Sequence, residues 1–231
     1  MIIYITGYGR SGSTALSEEL ERKLNACNLG EVKYLYQRGK DGLLDSYWLN
    51  FREENKDIFA NPSISLNSFD NCFGFYKWRD RRRYKDIWTK IFNRIGLNPG
   101  EEVIIDSSKT TLDSFMRGIY LFHSFDEVYF IQPKRKVGDV IKSLLKGKNS
   151  NIERNKRKSI IKRVLHTLSV GIPHLLITKL LTQIYRLYGL EIVKLEDLET
   201  NVDNFIRKKR LTKSNSSKEL PMIYGNRSRK E

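Results

Sequence analysis

The feature that most constrains the fold is a glycine-rich turn between an apolar run and an amphipathic segment at the start of the chain. Residues 2–5 are all apolar or aromatic, which predicts a short buried strand. Three glycines follow within residues 7–12, and leucines then recur at every fourth position of 16–24, as on one face of a helix. A strand, a tight turn and a helix direct backbone N–H groups and the positive end of a helix dipole at one point. Such a point favours a phosphate or a sulfate.

Short apolar runs alternate with helical patterns along the rest of the chain. This alternation predicts a three-layer α/β fold, with a central parallel sheet flanked by helices, in a single domain over residues 1–231. Further strands are predicted at 102–106, 127–131 and 190–193, with a strand or a loop at 30–36; helices are predicted at 78–95, 111–123, 138–146 and 158–188, the last broken at Pro173. Polar stretches that follow parallel strands face a common crevice.

Two regions depart from this alternation. Residues 40–76 are rich in aromatic and small polar residues, and we expect an irregular excursion with short helices on the acceptor side of a pocket. Residues 212–231 begin with a stretch rich in Ser, Lys and Asn, which predicts a flexible tail.

Charge and cysteine content narrow the class of protein. The net charge of +15 predicts an acidic partner, such as a nucleotide, an anionic glycan, nucleic acid or a membrane surface. Two cysteines disfavour a disulfide scaffold and a structural zinc site. The chain enters its first strand directly, and the longest uncharged apolar run (164–178) is too short to span a membrane. We therefore expect a cytoplasmic protein.

The first turn differs from the phosphate loop of nucleotide triphosphatases at one informative position. Gly7, Gly12 and Thr14 fit the pattern G-x-x-x-x-G-K-[ST], but Ser13 stands where that pattern has its lysine. The cation that reaches the outer phosphates of ATP is missing, and a different cation, Arg10, lies inside the turn. A glycine turn without any ligand is the simpler alternative.

The segment 7–16 (GYGRSGSTAL) resembles the phosphosulfate-binding loop of sulfotransferases that use 3′-phosphoadenosine-5′-phosphosulfate (PAPS), especially the tyrosylprotein and bacterial carbohydrate-type branch. The resemblance implies a fold like that of the P-loop nucleotide hydrolases. It also implies transfer of a sulfuryl group to an acceptor hydroxyl or amine, with release of adenosine 3′,5′-bisphosphate. The residues that it implies for the 5′-phosphosulfate are Arg10, Ser11, Gly12, Ser13 and Thr14.

Two segments that follow in order support this resemblance. Residues 30–39 (GEVKYLYQRG) are similar to a family segment whose glutamate is the candidate catalytic base, which implies that Glu31 takes the proton of the acceptor hydroxyl. Residues 103–109 (VIIDSSK) are similar to the family's V-D-S-S-K. This implies that Lys109 faces the sulfonate and that Ser108, or its neighbour Ser107, faces the nucleotide phosphates.

Two later segments are similar to the family's 3′-phosphate motifs. In 135–143, Arg135 and Ser143 correspond to the residues that hold the 3′-phosphate, although three residues separate Arg135 from the predicted strand where the family has none. Near the C-terminus, a G-N-x-x-R-like segment implies closure over the nucleotide by Asn226, Arg227 and Arg229. Residues 195–198 (LEDL) resemble the family's Y-E-D-L element, which we interpret as structural.

Two other function classes stay open at this point. A small-molecule kinase is favoured by Asp106 at the end of its strand, as in a Walker B motif, and opposed by Ser13. A non-catalytic module that binds nucleic acid or an anionic glycan is favoured by charge, but aromatic residues do not interleave with the basic runs, so no nucleic acid is expected. None of the three histidines lies beside a motif, so we expect no metal. The expected acceptor is a carbohydrate or another small molecule with a hydroxyl group.

Overall fold

Five short strands form one all-parallel sheet in the computed structural model. The structure describes residues 1–7, 11–35, 44–59, 78–97, 102–108, 115–136, 138–140, 142, 172–214 and 222–223. The strands are β1 (Ile2–Ile5), β2 (Cys27–Gly30), β3 (Ile104–Asp106), β4 (Val128–Lys134) and β5 (Glu191–Lys194). They pair in the order β2-β3-β1-β4-β5, so β1 is the central strand. The predicted α/β class with a parallel sheet is confirmed.

Helices connect and flank these strands. The described helices are α1 (Ser13–Leu24), α2 (Ser46–Glu54), α3 (Lys56–Phe59), α4 (Trp78–Ile95), α5 (Phe115–Ser124), α6 (Ile172–Arg186) and α7 (Leu198–Lys209), with a 3-10 turn at Val32–Leu35 and helical residues at 138–140 and 142. None of these described helices combines the length and apolarity that a membrane span needs.

The side chains of β1 alternate between two apolar cores, one on each face of the sheet. Ile3 and Ile5 pack with α1 and α7 on one face of the sheet, whereas Ile2 and Tyr4 pack with α4, α5 and α6 on the other. Successive side chains of a strand point to opposite faces, so this arrangement follows from the strand itself. The apolar stripe of α4 is buried as predicted, at Tyr84, Ile87, Trp88, Ile91, Phe92 and Ile95.

Two strands differ from their predicted positions. The second strand is 27–30, and the chain after it makes a 3-10 turn, so of the two alternatives predicted for 30–36, a strand or a loop, the strand is wrong. The fourth strand continues to Lys134 instead of ending at residue 131. Pro133 is accommodated because the pairing of β4 with β1 has already ended at Ile131, so its missing N–H is not needed there. Arg135 therefore follows its strand directly.

Two further sequence predictions concern Pro173 and the C-terminal tail. Pro173 lies in the first turn of α6, where a missing backbone donor is tolerated. In the tail, Ser214 N–H donates to the Leu24 carbonyl at 2.8 Å and Ile223 N–H donates to the Leu29 carbonyl at 2.9 Å. The Ile223 side chain is fully buried, so the described residues of the tail are anchored beside the end of α1 and β2.

Candidate functional site

The candidate site lies at the carboxyl ends of the strands. From β1 the chain proceeds through α1 to β2 on one side, whereas from β4 it proceeds to β5 on the other. Connections that leave two neighbouring strands in opposite directions open a crevice between them, which is the usual ligand position in open parallel sheets. The crevice is therefore bordered by the turn after β1 and by the basic segment after β4.

Two glycines shape the described part of the first turn. Gly7 has a φ of +112° and Gly12 has a φ of +97°, backbone angles that residues other than glycine rarely adopt. Gly12 is the N-cap of α1 and provides no side-chain cap. The first N–H groups of a helix have no partner within the helix, so the N-terminus of α1 is suited to an external acceptor.

The turn is also packed tightly against the segment that follows β5. A Cβ atom placed on Gly12 would lie 2.2 Å from Cδ1 of Leu195, so a larger residue at position 12 would force the Leu195 side chain to move. Leu195 belongs to the 195–198 segment interpreted as structural from the sequence, and here it braces the N-terminus of α1. The position of the turn therefore depends on glycine at 12 and on the bulk of residue 195.

The Ser11 hydroxyl of this turn has no hydrogen-bond partner among the described residues. Ser11 is fully buried, and its Oγ makes no hydrogen bond within the described part of the chain. A buried hydroxyl that lacks a partner costs about 1–3 kcal/mol. An anionic oxygen at the N-terminus of α1 would remove that cost. Of its neighbours in the helix, Ser13 is buried and Thr14 is exposed.

A glutamine near the end of β4, Gln132, lies beside the turn. Gln132 Oε1 accepts a hydrogen bond from Thr182 of α6 at 3.0 Å and lies 3.5 Å from the Thr6 hydroxyl that follows β1. Its Cγ would lie 3.4 Å from a Cβ on Gly7. Sequence reasoning missed this residue, because the predicted strand stopped before it.

Glu31, the predicted base, directly follows β2 and is buried. Its Oε2 lies 2.7 Å from Nζ of Lys33 in an ion pair. The Lys33 ammonium also lies 5.3 Å from the centre of the Tyr34 ring. The carboxylate is therefore held by a cation from its own 3-10 turn.

Ser108, predicted to face the nucleotide phosphates, is buried and hydrogen-bonded to Asp106 and Lys33. Asp106 Oδ1 accepts hydrogen bonds from the Ser108 N–H, at 2.8 Å, and from the Ser108 hydroxyl. The same hydroxyl oxygen accepts from the N–H of Lys33 at 3.0 Å. A serine has one hydroxyl proton, so Ser108 cannot donate to a phosphate without leaving Asp106.

Asp106 is surrounded by groups that act on its charge. Burial raises its pKa to about 6, although the Ser108 hydrogen bonds, the Arg117 charge and the Val32 N–H oppose that rise. Arg117 belongs to α5 and is 1 % exposed. Sequence reasoning missed it, although a lone cation inside the apolar pattern of 115–122 was a signal.

A basic cavity of about 380 Å³ lies at the ends of β4 and β5. Arg135, predicted to hold the 3′-phosphate, is half-buried in its wall and directly follows β4. Lys134 and Lys194 are register partners across the two strands. The cavity is lined by four cations and two carboxylates: Lys134, Arg135, Lys136, Lys194, Glu196 and Asp197. Sequence reasoning missed Lys194 of β5, and it interpreted the adjacent segment 195–198, which supplies Glu196 and Asp197, as structural.

The described site residues share one edge of the sheet. Ser11 to Thr14 lie at the N-terminus of α1, and Glu31, Ser108 and Arg135 follow β2, β3 and β4. Six predicted site residues lie outside the described residues: Arg10, Lys109, Ser143, Asn226, Arg227 and Arg229.

Fold and site together define an α/β protein with a five-stranded parallel sheet, order 2-3-1-4-5, and polar groups at the carboxyl edge of that sheet. No protein-family model matches the sequence, and a search of curated proteins gives no match. Any assignment of activity therefore depends on the residues of the site and on the motifs in the sequence.

Proposed function

We propose that the protein is a PAPS-dependent sulfotransferase with a P-loop-like fold. The observation that carries the proposal is the pairing of two anion-binding features on neighbouring strands. The uncapped N-terminus of α1, with the buried Ser11 hydroxyl, follows β1, and the basic cavity with Arg135 follows β4. A nucleotide phosphorylated at both its 5′ and 3′ ends needs two such features within one crevice.

The structural position of Arg135 supports the same function. From the sequence alone, three residues separated this arginine from its strand, unlike in the family that the motifs resemble. Because β4 extends to Lys134, Arg135 stands directly after the strand. A guanidinium offers a fork of donors that suits phosphate oxygens.

In the proposed reaction, the acceptor oxygen attacks sulfur as the bond between sulfur and the bridging phosphate oxygen breaks. The α1 N–H groups, Ser11 and Arg10 bind the 5′-phosphosulfate, and Arg10 and Lys109 stabilise the charge that develops. Arg135 and Ser143 bind the 3′-phosphate, over which Asn226, Arg227 and Arg229 close. Glu31 takes the acceptor proton. Cationic side chains supply the positive charge, so the proposal assigns no metal.

A small-molecule kinase is the second candidate, because Asp106 ends a strand beside the glycine turn. Two observations oppose it. Asp106 is 0 % exposed and its Oδ1 is engaged by Ser108, so it is not presented to a metal ion in the crevice. Ser13 also leaves the turn without the phosphate-loop lysine.

Ligand-dependent thermal stability separates these functions. At a hundredfold excess over Kd, adenosine 3′,5′-bisphosphate should stabilise the protein by about 2.7 kcal/mol, or roughly 5–10 °C in Tm. Mg-ATP should give a much smaller shift. Arg135→Ala should reduce the stabilisation by the bisphosphate. Arg186 is an exposed arginine of α6 that contacts Gln183, and Arg186→Ala should leave the stabilisation unchanged.

Two results would overturn the proposal. Selective stabilisation by Mg-ATP would favour the kinase. Absence of any bisphosphate effect, together with salt-dependent binding of a mixed-sequence oligonucleotide, would favour a nucleic-acid-binding module.

A further inference from the structure

We propose that Asp106 and Ser108 are positioning residues for Glu31, acting through the backbone and side chain of Lys33. This inference rests on the proposed function, in which Glu31 takes the acceptor proton. It gives a role to Asp106, which the resemblance left without one, and a different role to Ser108, which the resemblance assigned to the nucleotide phosphates.

The first step is the link between the ends of two neighbouring strands. Ser107 N–H donates to the Gly30 carbonyl at 2.8 Å, and Lys33 N–H donates to Ser108 Oγ at 3.0 Å. These two hydrogen bonds hold the backbone on both sides of Glu31, immediately after β2. Glu31 is therefore carried on a segment that the end of β3 fixes in place.

The second step is the direction of the Ser108 hydroxyl. Its single proton is directed to the Asp106 carboxylate, so a lone pair of the same oxygen is available to the Lys33 N–H. The N–H of Ser108 donates to the same carboxylate oxygen at 2.8 Å, which closes a local turn around Asp106. Asp106 thus orients Ser108, and Ser108 orients Lys33.

The third step leads from Lys33 to the reacting group. Its Nζ lies 2.7 Å from Glu31 Oε2, so the residue whose backbone is fixed by Ser108 also holds the carboxylate. Asp106 and Ser108 are 0 % and 1 % exposed, so bulk water does not reach either partner. Two charged or titratable side chains of other elements also face Asp106, namely Arg117 of α5 and Tyr4 of β1. The backbone N–H of Val32 acts on its charge as well.

The closing experiment compares Ser108→Ala with the conservative Ser108→Thr in transfer of ³⁵S-labelled sulfuryl from PAPS to a mixture of hydroxyl-bearing sugars. Misplacement of a catalytic group by about 1 Å lowers rates by about 100-fold, so Ser108→Ala should lower kcat by roughly 10- to 100-fold. The KM for PAPS should stay within about twofold, because the hydroxyl is engaged by Asp106 and the Lys33 N–H. Ser108→Thr, which keeps a hydroxyl, should recover most of the kcat.

Ser124→Ala is the matched control. Ser124 is a buried serine at the end of α5, at the opposite edge of the sheet, and its hydroxyl has no partner among the described residues. Its kcat should equal that of the wild type. If Ser108→Ala keeps wild-type kcat, or changes only the KM for PAPS, the positioning role is overturned.

Hydrogen exchange provides a readout that does not depend on turnover. In Ser108→Ala the Lys33 amide should exchange at least about tenfold faster, while amides of the central strand β1 keep their wild-type protection. Unchanged protection of Lys33 would contradict the inference. Failure of the proposed function is a separate result, because the wild type would then neither bind adenosine 3′,5′-bisphosphate nor transfer sulfuryl from PAPS.

Discussion

The buried Asp106 carboxylate makes the stability of the protein depend on pH in a defined direction. Burial raises its pKa from 3.8 to about 6. Between those values the folded protein holds a proton on Asp106 that the unfolded chain has released. The free energy of unfolding therefore falls as the pH rises through this window. Asp106→Asn removes this contribution while keeping an oxygen that can accept the Ser108 hydrogen bonds.

The expected magnitude follows from the two pKa values. Their difference, 6 minus 3.8, corresponds to about 3 kcal/mol, because a tenfold change in proton affinity is about 1.4 kcal/mol. From about pH 3.5 to pH 7, the wild type should lose about 3 kcal/mol of unfolding free energy relative to Asp106→Asn. Contributions of all other ionisable groups largely cancel in this difference.

Urea unfolding of both proteins at four or five pH values measures the difference directly. Asp139→Asn, which neutralises a half-buried aspartate after β4, is the control for loss of one negative charge. A difference that stays constant with pH, or one in which the wild type gains stability as the pH rises, would refute the argument. A constant difference would mean that Arg117 and the Ser108 hydrogen bonds balance the effect of burial, and the opposite slope would mean that they outweigh it.

Three further predictions test other parts of the structure. Gly12→Ala should lower the free energy of unfolding by about 1–3 kcal/mol in urea melts, because the new Cβ meets Leu195 and the φ of residue 12 is positive. Adding Leu195→Ala should recover only the part of this loss that comes from the clash with Leu195. Ile223→Ala should cost about 2–4 kcal/mol in the same assay, since the residue is fully buried; a value near zero would mean that the tail is not anchored. Lys194→Gln should weaken adenosine 3′,5′-bisphosphate binding several-fold in calorimetric titrations, and unchanged affinity would exclude the basic cavity as part of the nucleotide site.

Elements with a strong apolar period were predictable from the sequence. β1, α1 and α4 lie where their patterns placed them, because β1 is apolar on both faces and each helix packs one apolar face on the sheet. The strand Cys27–Gly30 was not predictable, since four residues carry no period and only pairing with β3 fixes them. The helix α7 was missed despite a usable signal: Leu198, Val202 and Phe205 recur at helical spacing, and the last two are buried.

The site was predictable only where a motif stands on consecutive residues. The glycine turn and Arg135 lie at the carboxyl edge of the sheet, as the strand pattern implied. The hydrogen bond between Lys33 and Ser108 joins residues 75 positions apart, and no local pattern indicates it. The cation Arg117 reaches Asp106 from a helix that follows it along the chain. Such contacts arise from topology, which sequence spacing alone does not encode.

The central claim is that the crevice binds a nucleotide phosphorylated at both ends, and calorimetric titration measures it most directly. Adenosine 3′,5′-bisphosphate should bind about 10- to 150-fold more tightly than adenosine 5′-phosphate, because a charge-assisted phosphate contact contributes about 1.5–3 kcal/mol. Arg135→Ala should reduce this ratio towards one. Equal affinities of the wild-type protein for the two nucleotides would contradict the account.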